Sequence, residues 1–444
     1  MRICLTGDLG GYYTGAIGQG RDQFGVKGDF VTSPEISQIF GELIGIWFVA
    51  EWMCQRRPRQ GVQLIEVGPG RGTLMADILR TIKRFPAMMN SVESIFMVEA
   101  SPELRETQQK LLCRPGEPLV HREGLSSGKC KDIDKPIVWA ESLRSIATNA
   151  DQTPFMIAHE FFDALPIHTF QTALAETSPA KSSSGPIRGT LMEHGPVKDD
   201  SQCAYEWREM MVSPVHPAAA MTSAQAKSKA AGRDEIPEEF QLILSSTPTR
   251  HSRYLPESSA RYRQLKQIPG AVVEICPEAS LYAADFATRI GGSANVAKPQ
   301  PSGAALILDY GTSDTIPVNS LRGIRHHKLV SPFSAPGLVD LSADVDFTAI
   351  AEAATLASGG VEVHGPISQA DFLEAMGIKE RAEMLIRAAG SNDATAQSIK
   401  KSWQRLVDRG PNGMGKVYKA LAILPENSGR RRPVGFGGDV PSTG

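Results

Sequence analysis

The stretch VQLIEVGPGRGTLMADILR, residues 62–80, constrains the fold more than any other part of the chain. It begins with an apolar segment typical of a buried parallel strand and ends in apolar residues at helical spacing. Between them Gly68, Gly70 and Gly72 allow a sharp turn and a close approach of the backbone to a ligand. A strand, a glycine turn and a helix in this order predict the first unit of an open parallel sheet.

The spacing of the glycines in this turn helps to decide among three classes of ligand, namely a phosphate, a dinucleotide and a sulfonium nucleoside. A phosphate-binding P-loop requires Lys-Ser or Lys-Thr after its last glycine, and neither follows Gly72. A dinucleotide fingerprint has the pattern G-x-G-x-x-G, whereas the third glycine here comes one residue early. Glu66 would repel a pyrophosphate, but it could accept hydrogen bonds from the ammonium group of S-adenosylmethionine (SAM). The pattern therefore favours SAM over NAD, and a tight turn that binds no ligand stays an alternative.

A second carboxylate supports the same choice of ligand. Glu99 ends the next predicted strand, 27 residues beyond Gly72, where a carboxylate suits the hydroxyls of a ribose. The helix that begins near Thr73 could receive the carboxylate end of SAM at its N-terminus. Glu66, the three glycines, Thr73 and Glu99 are therefore the expected cofactor-binding residues.

Strands and helices alternate over the first part of the chain, which predicts an α/β fold with a doubly wound, Rossmann-like parallel sheet. One long helix is expected at residues 33–53, because Ser33 could cap it and Pro34 suits its first position. The expected strands are residues 62–67, 94–100, 136–140, 154–160, 303–311 and 416–424. The later expected helices are residues 277–290, 346–357, 368–376, 379–389 and 393–407.

Changes in composition divide the chain into five expected parts. Residues 172–236 are rich in Ser, Ala, Pro, Lys and Gly, which indicates a largely disordered insertion. Within it, residues 205–212 could form a strand that pairs with residues 240–244. The parts are an N-terminal helical or lid segment (1–60), a SAM-binding core (61–171), the insertion (172–236), the remaining catalytic domain with a helical subdomain (237–425) and a disordered tail (426–444).

Charge and cysteine usage exclude several classes of partner. The 444 residues carry a formal net charge of −2, which gives no reason to expect a nucleic acid or an anionic membrane. The six cysteines form no Cys-x-x-Cys pair and have no histidine cluster nearby, so no metal site is expected. No apolar run reaches the roughly 18 to 20 residues of a membrane span, and the N-terminus carries no visible transit peptide.

The segment IAHEFFDALPIH, residues 157–168, follows the fourth predicted strand and carries the candidate catalytic groups. Acidic side chains are rarely buried without a partner, so Glu160 and Asp163 in this apolar stretch indicate a cationic substrate group. A guanidinium fits, because its planar donors pair with carboxylates and it keeps its charge. One alternative remains open: Glu160 could act as a cap or pair internally with an arginine, while Asp163 begins a turn before Pro166. His159 is a third candidate, although lone histidines are more often structural.

Nine segments, taken in order, resemble the MidA-type SAM-dependent methyltransferase family. The resemblance extends over most of residues 1–171 and 205–425. The segments are GDFVTSPEISQIFGELIG (28–45), LIEVGPGRGTLMADILR (64–80), VEASPELRE (98–106), AHEFFDALPIHTFQ (158–171), EICPEA (274–279), ALILDYG (305–311), LRGIRHHKL (321–329), APGLVDLSADVDF (335–347) and MGKVYKALAILP (414–425).

The resemblance implies a class I methyltransferase fold with helical elaborations and SAM as the cofactor. The mitochondrial members are arginine methyltransferases that assist complex I assembly. For this chain it therefore implies symmetric dimethylation of an arginine on the complex I 49-kDa-type subunit, and residence in the mitochondrial matrix. Two other functions stay open, a SAM methyltransferase for a small cationic molecule and a non-catalytic assembly chaperone.

The resemblance also assigns residues to roles. It implies that Glu160 and Asp163 face the substrate arginine, and that Ser33 and Pro34 lie over the cofactor as part of a lid. In the SAM site it implies the loop residues Glu66, Gly68, Gly70 and Gly72, with Glu99 at the ribose.

Overall fold

The structure, a computed structural model, describes residues 1–8, 10–15, 23, 25, 28–116, 118–122, 124–175, 204–215, 237–390 and 393–437. Contacts among residues divide the chain into two units. The first consists of Met1–Ile167, Val215–Glu239 and Cys276–Gly444, and the second of His168–Pro214 and Phe240–Ile275. Most of the expected insertion, and residues 438–444 of the expected tail, lie outside the described residues.

The strands, in chain order, are β1 (Val62–Val67), β2 (Val92–Val98), β3 (Val120–Arg122), β4 (Leu125–Lys129), β5 (Pro136–Ala140), β6 (Thr153–His159), β7 (His168–Leu174), β8 (Tyr205–Pro214), β9 (Phe240–Leu244), β10 (Val272–Ile275), β11 (Ala304–Thr312), β12 (Arg322–Arg325), β13 (Lys328–Val330), β14 (Asp340–Ser342), β15 (Val345–Asp346), β16 (Val361–Ser368) and β17 (Tyr418–Pro425).

The helices are α1 (Arg2–Thr6), α2 (Ser33–Ile36), α3 (Gln38–Cys54), α4 (Thr73–Ile82), α5 (Pro86–Ser91), α6 (Pro102–Leu112), α7 (Arg250–Tyr254), α8 (Ala260–Arg263), α9 (Pro277–Gly291), α10 (Phe347–Ala357), α11 (Gln369–Ala375), α12 (Ile378–Ala389) and α13 (Asp393–Val407), with a single 3-10 turn described at Leu143–Ser145.

The first unit is built on a ten-stranded sheet in the order β16-β17-β11-β6-β1-β2-β5-β4-β3, with β15 beside β11. Strands β5, β2, β1, β6 and β11 run parallel, and antiparallel strands extend the sheet on both sides. Chain order runs outward from β1 through β2 on one side and from β6 through β11 on the other. The order therefore reverses between β1 and β6, which is where open α/β sheets bind ligands beyond the carboxyl ends of their strands.

Helices cover both faces of this sheet. Every residue of β1 is buried, and successive residues of a strand point to opposite faces. Leu64 lies in the core beneath α3 and α4, whereas Ile65 lies in the core beneath α9 and α10. A strand covered on both faces needs the continuous apolar run that the sequence shows here. The predicted α/β fold with a doubly wound parallel sheet is confirmed.

The prediction of one continuous helix at residues 33–53 is wrong at Ser37. The backbone of Ser37 is extended, with φ −154° and ψ 124°, so that α2 ends at Ile36 and α3 begins at Gln38. The Ser37 side chain accepts a hydrogen bond from the backbone N–H of Ile39 at 3.3 Å. Serine competes for backbone donors in this way at helix starts, so a capped restart replaces one continuous helix.

The second unit contains a four-stranded antiparallel sheet in the order β10-β7-β8-β9. The pairing predicted between residues 205–212 and 240–244 is confirmed, and Met211 lies opposite Ile243. Phe170 and Trp207 are buried in this unit. The short helices α7 and α8 connect β9 to β10.

Part of the tail expected from residue 426 onward packs onto the protein, whereas residues 428–430 are exposed. Phe436 packs against Phe372 with ring centroids 5.5 Å apart, and Trp47 donates a hydrogen bond to the Val434 carbonyl at 3.1 Å. Arg431 donates two guanidinium hydrogen bonds, at 3.0 and 2.5 Å, to the fully buried carboxylate of Glu51 on α3. The correction has a physical reason, since a carboxylate buried inside an apolar helix requires a cation.

None of the described helices is long and apolar enough to span a membrane.

The Arg431–Glu51 pair predicts how the tail contributes to stability. Replacing Arg431 with Ala leaves the Glu51 carboxylate buried without its partner, which should lower the free energy of unfolding by about 3 kcal/mol. Chemical denaturation of the purified protein measures this change. The neighbouring Arg430 is exposed, so R430A is the matched control and should unfold like the wild type. Equal losses in the two variants would contradict a specific role for the pair.

Candidate active site

A cavity of about 370 Å³ lies in the first unit beyond the carboxyl ends of β1 and β6. Val67 and Ala158 pair near the ends of these parallel strands, so the glycine turn and the segment around Glu160 emerge side by side. The volume falls within the roughly 300–1,000 Å³ typical of small-molecule sites. Nine of the residues predicted from the sequence line the cavity, namely Glu66, Gly68, Gly70, Thr73, Glu99, Pro34, His159, Glu160 and Asp163.

The glycine turn has a backbone that other residues could hardly adopt. Gly68, Gly70 and Gly72 have φ values of +69°, +52° and +82°, in the left-handed region. A Cβ atom on Gly68 would lie 2.6 Å from the Phe161 side chain, which is too close for any real contact. Gly72 caps α4 and does not line the cavity, so its contribution is to the shape of the turn.

Glu66 presents a buried carboxylate with an unused acceptor. The residue is only 2% exposed, and its Oε2 atom has no hydrogen-bond partner among the described residues. Burial raises its pKa well above the usual range, and the nearby carboxylates of Glu99 and Asp77 raise it further. Such a group is stabilised by a bound cation, which fits the ammonium group of SAM.

Glu99 is held rigidly at the end of β2. Its Oε1 accepts the backbone N–H of Ser101 at 2.9 Å, and Oε2 accepts the side-chain amide of Gln108 at 3.3 Å. Burial raises the pKa of Glu99 to about 7, although these hydrogen bonds oppose the shift. Gln108 also donates to the Gly70 carbonyl at 2.7 Å and accepts from Trp139 at 2.8 Å, and so links the glycine turn to Glu99.

These residues fit SAM. The unpartnered oxygen of Glu66 can take the ammonium group, and the start of α4 at Thr73 can take the carboxylate. Glu99 can accept from ribose hydroxyls, and Gly68 and Gly70 line the cavity without side chains. Sequence reasoning missed Gln108 and Trp139, because a glutamine in the middle of a helix carries no local signal.

Glu160 follows β6 in a strained conformation. Its φ of +50° is unusual for a residue with a Cβ atom and costs about 1–2 kcal/mol. The Tyr418 hydroxyl and the Ser33 backbone N–H lie near the side-chain carboxylate and oppose the rise of its pKa. Within the described part of the chain, its Oε1 atom has no hydrogen-bond partner. Burial, followed by the charge of Asp163, raises the pKa of Glu160 to about 8.

Asp309, at the end of β11, holds this strained turn. Its Oδ2 atom accepts the backbone N–H groups of Phe161, Phe162 and Asp163 at 3.1, 2.7 and 3.4 Å. The Glu160 N–H donates to the Leu308 carbonyl at 3.0 Å. Strain of this kind persists at functional sites only where surrounding contacts over-determine it, and Asp309 supplies those contacts here.

His159 and Asp163 lie on either side of Glu160 in the chain and differ in their electrostatics. The Nε2 atom of His159 lies 3.3 Å from Glu160 Oε1. Burial lowers the pKa of His159 to about 3, so the imidazole is neutral and this contact is not an ion pair. Burial raises the pKa of Asp163 to about 6, against the opposing charge of Arg322. Of the two, Asp163 is the better partner for a cation.

Two tyrosines lie close to Glu160. Tyr310 ends the apolar run of β11 and lines the cavity, and Tyr418 lies directly opposite it on β17. Their hydroxyls are hydrogen-bonded, and their ring centroids lie 4.1 Å apart with the ring planes tilted by 39°. The DYG sequence offered a signal for Tyr310, whereas Tyr418 reaches the site only through the register of an antiparallel strand.

The residues expected to form a lid over the cofactor differ in whether they line the cavity. Pro34 lines the cavity together with Thr32 and Glu35. Ser33 is buried and does not line it, and its backbone N–H lies near the Glu160 carboxylate. Arg71 of the glycine turn donates to Glu35 at 2.9 Å, which ties α2 to the turn.

The lining of the cavity is strongly acidic. Among the described residues that line it, eight carry a carboxyl group and two are arginines. The carboxyl groups raise one another's pKa values because their charges repel in a buried space. A cavity of this composition selects positively charged ligands over neutral or anionic ones.

Comparisons with known proteins agree with this chemistry. Residues 43–367 match a family of S-adenosyl-L-methionine-dependent methyltransferases. The rat protein named "Protein arginine methyltransferase NDUFAF7, mitochondrial" is 33% identical over 429 residues, covering 96% of this chain and 80% of its own. The human and zebrafish proteins of the same name are each 32% identical, covering 96% of this chain and 79% and 82% of their own.

The fold has a close counterpart among solved structures. A Burkholderia thailandensis protein, crystallised with S-adenosyl-homocysteine, superposes with a TM-score of 0.64 at 20% sequence identity. The match covers 99% of this chain and 90% of that protein. The resemblance inferred from the nine sequence segments is thereby confirmed. This chain belongs to the family of S-adenosyl-L-methionine-dependent methyltransferases, and SAM is its cofactor.

Proposed function

We propose that the protein is a SAM-dependent protein arginine N-methyltransferase. The observation that carries the proposal is the carboxylate of Glu160, which is buried in the same cavity as Glu66 and Glu99. Its Oε1 atom lacks a hydrogen-bond partner in the described structure, so it is available to a donor from a substrate. The relatives named as arginine methyltransferases support a guanidinium as that donor.

The residues of the chain have separate tasks in this reaction. SAM supplies an electrophilic methyl group when it is bound. Glu160 Oε1 would accept an N–H of the substrate guanidinium and so orient one nitrogen for attack. The Tyr418 hydroxyl and the Ser33 N–H lie near the Glu160 carboxylate and favour its charged form. The attacking nitrogen must lose one proton, and a carboxylate with a pKa of about 8 can take it.

We further propose that the reaction is symmetric dimethylation of an arginine on the complex I 49-kDa-type subunit, in the mitochondrial matrix. The relatives' names place them in mitochondria, and the family resemblance supplies the substrate. The acidic cavity is compatible with a protein arginine but does not by itself specify which protein carries it.

Incubation with methyl-labelled SAM and the 49-kDa-type subunit, followed by mass spectrometry, tests the proposal. We expect label on a single arginine, with both terminal nitrogens methylated. Label on a lysine, or on a small cationic metabolite in place of the protein, would overturn the assignment of arginine. If SAM binds but no label appears on any acceptor, the protein is an assembly chaperone that keeps a methyltransferase fold.

Replacing Glu160 with Gln separates binding of the cofactor from transfer of the methyl group. The amide cannot balance the guanidinium charge, so we expect kcat to fall about 100-fold or more while the Kd for SAM changes by less than about two-fold. Glu141 also lines the cavity, but its side chain is 74% exposed, which makes E141Q the matched control. Wild-type turnover by E160Q would show that another residue receives the substrate.

The pKa of Glu160 also predicts how activity depends on pH. Below a pKa of about 8 the carboxyl group is protonated and neutral, whereas above it the group carries the charge that the guanidinium requires. Arginine stays protonated throughout this range. We therefore expect kcat/KM for the protein substrate to rise from pH 6, to reach half its maximum near pH 8 and to level off about one pH unit higher.

Titration of SAM at each pH is the control, because burial also raises the pKa of Glu99, to about 7. The profile should remain after correction for cofactor occupancy. A corrected profile that is already flat at pH 6.5 would contradict the role assigned to Glu160.

A further inference from the structure

The second unit holds a cluster of two histidines and a carboxylate that the methyltransferase chemistry does not use. His168 begins β7 and Glu209 lies on β8, and both belong to one face of the antiparallel sheet. His251 is in α7, the short helix that follows β9. One ligand atom from each of the three residues lies within 4.8 Å of the others.

The separations of the donor atoms are close to those of a metal site. His168 Nδ1 is 2.9 Å and His251 Nδ1 is 3.6 Å from the same carboxylate atom, Glu209 Oε1. Zinc forms bonds of about 2.0–2.2 Å to imidazole nitrogen and carboxylate oxygen, so its donors lie about 3.3 Å apart at the edges of a tetrahedron. The observed distances bracket this value, and small side-chain rotations suffice to admit an ion.

Glu209 is oriented by groups outside the cluster. The Thr249 hydroxyl donates to Oε2, the oxygen that does not face the histidines, and Ser245 accepts the Glu209 backbone N–H at 3.0 Å. Thr249 also caps α7 by accepting from Ser252, which fixes the start of the helix that carries His251. Carboxylates that bind metals are commonly held by such hydrogen bonds to the non-coordinating oxygen.

Solvent, and therefore a metal ion, can reach the cluster. The side chains of His168, Glu209 and His251 are 29%, 14% and 54% exposed, so an ion has a route in and the cluster keeps an open side.

We propose that His168, Glu209 and His251 form a binding site for a divalent transition-metal ion of the zinc type. Two imidazoles and one carboxylate are a donor set that zinc prefers, and water would complete the coordination on the open side. The three ligands come from β7, β8 and α7, so a bound ion would connect three segments that lie far apart in the chain. Binding to the folded state alone would stabilise the protein as zinc is added.

Zinc titration of the full chain, stripped of metal with a chelator, tests the proposal. We expect isothermal titration calorimetry to show one site with a Kd in the micromolar range or tighter, and the melting temperature to rise with zinc. H251A should weaken binding by about ten-fold or more. His251 is more than half exposed, so this variant should fold like the wild type without zinc. His121, an exposed histidine of the first unit, provides the control H121A, which should bind zinc normally.

Cobalt binding provides a second measurement, the visible absorption spectrum of the bound ion. A cluster that has only a structural role would not give this spectrum. Cobalt bound by two histidines, a carboxylate and water should give the strong visible absorption of a four-coordinate ion, and E209Q should weaken or abolish it. Zinc affinity that is the same in the wild type and in a doubly substituted H168A/H251A protein would overturn the proposal. So would the absence of a one-to-one site at about 100 μM zinc. Neither outcome bears on methyl transfer, so the two proposals fail independently.

Discussion

The geometry of the active site depends on one buried carboxylate, that of Asp309. This fully buried side chain accepts three consecutive backbone N–H groups beyond β6 and thereby closes a turn that the preceding residue, Glu160, can enter only at a positive φ. Three N–H groups directed at one oxygen partly offset the cost of burying the carboxylate, although burial still raises the pKa of Asp309 well above its usual range. Because the turn is held from β11, the adjacent strand, the position of Glu160 relative to the glycine turn is set by the register of the central sheet.

The same construction concentrates carboxyl groups in a small space, which is unfavourable in the absence of a ligand. Burial raises the pKa values of Glu66, Glu99 and Glu160, and repulsion by neighbouring carboxylates raises those of Glu66 and Glu160 further. A cation that enters the cavity removes part of this cost, and the proposed reaction brings two, the SAM sulfonium with its ammonium group and the substrate guanidinium. Affinity for both ligands therefore arises from one property, an excess of buried carboxyl groups that a cation can bring into the charged form, while the separate positions of Glu66 and Glu160 keep the two ligands in different parts of the cavity.

The sequence predicted those parts of the fold and of the site that rest on local patterns. The apolar run of β1, the glycine turn and the carboxylates at Glu66, Glu99 and Glu160 all follow from spacing along the chain, and the structure places these carboxylates around one cavity. Contacts between distant segments could not be predicted in this way. Tyr418 reaches Glu160 because β17 pairs antiparallel with β11, and Arg431 reaches Glu51 across 380 positions. The break at Ser37 was missed because the apolar periodicity continues through it, although the serine itself was a signal.

The segment from residues 157–168 shows why local patterns are insufficient to assign individual histidines. His159 and His168 look alike in the sequence, yet burial keeps His159 neutral beside a carboxylate in the first unit, whereas His168 begins a strand of the second unit. The environment of His168 comes from Glu209 and His251, which lie 41 and 83 positions further along the chain. Cysteine and histidine spacing predicted no metal site, because such patterns detect ligands supplied by one short segment. A site assembled from two strands and a helix leaves no such pattern, and only the pairing of β7 with β8 brings its ligands together.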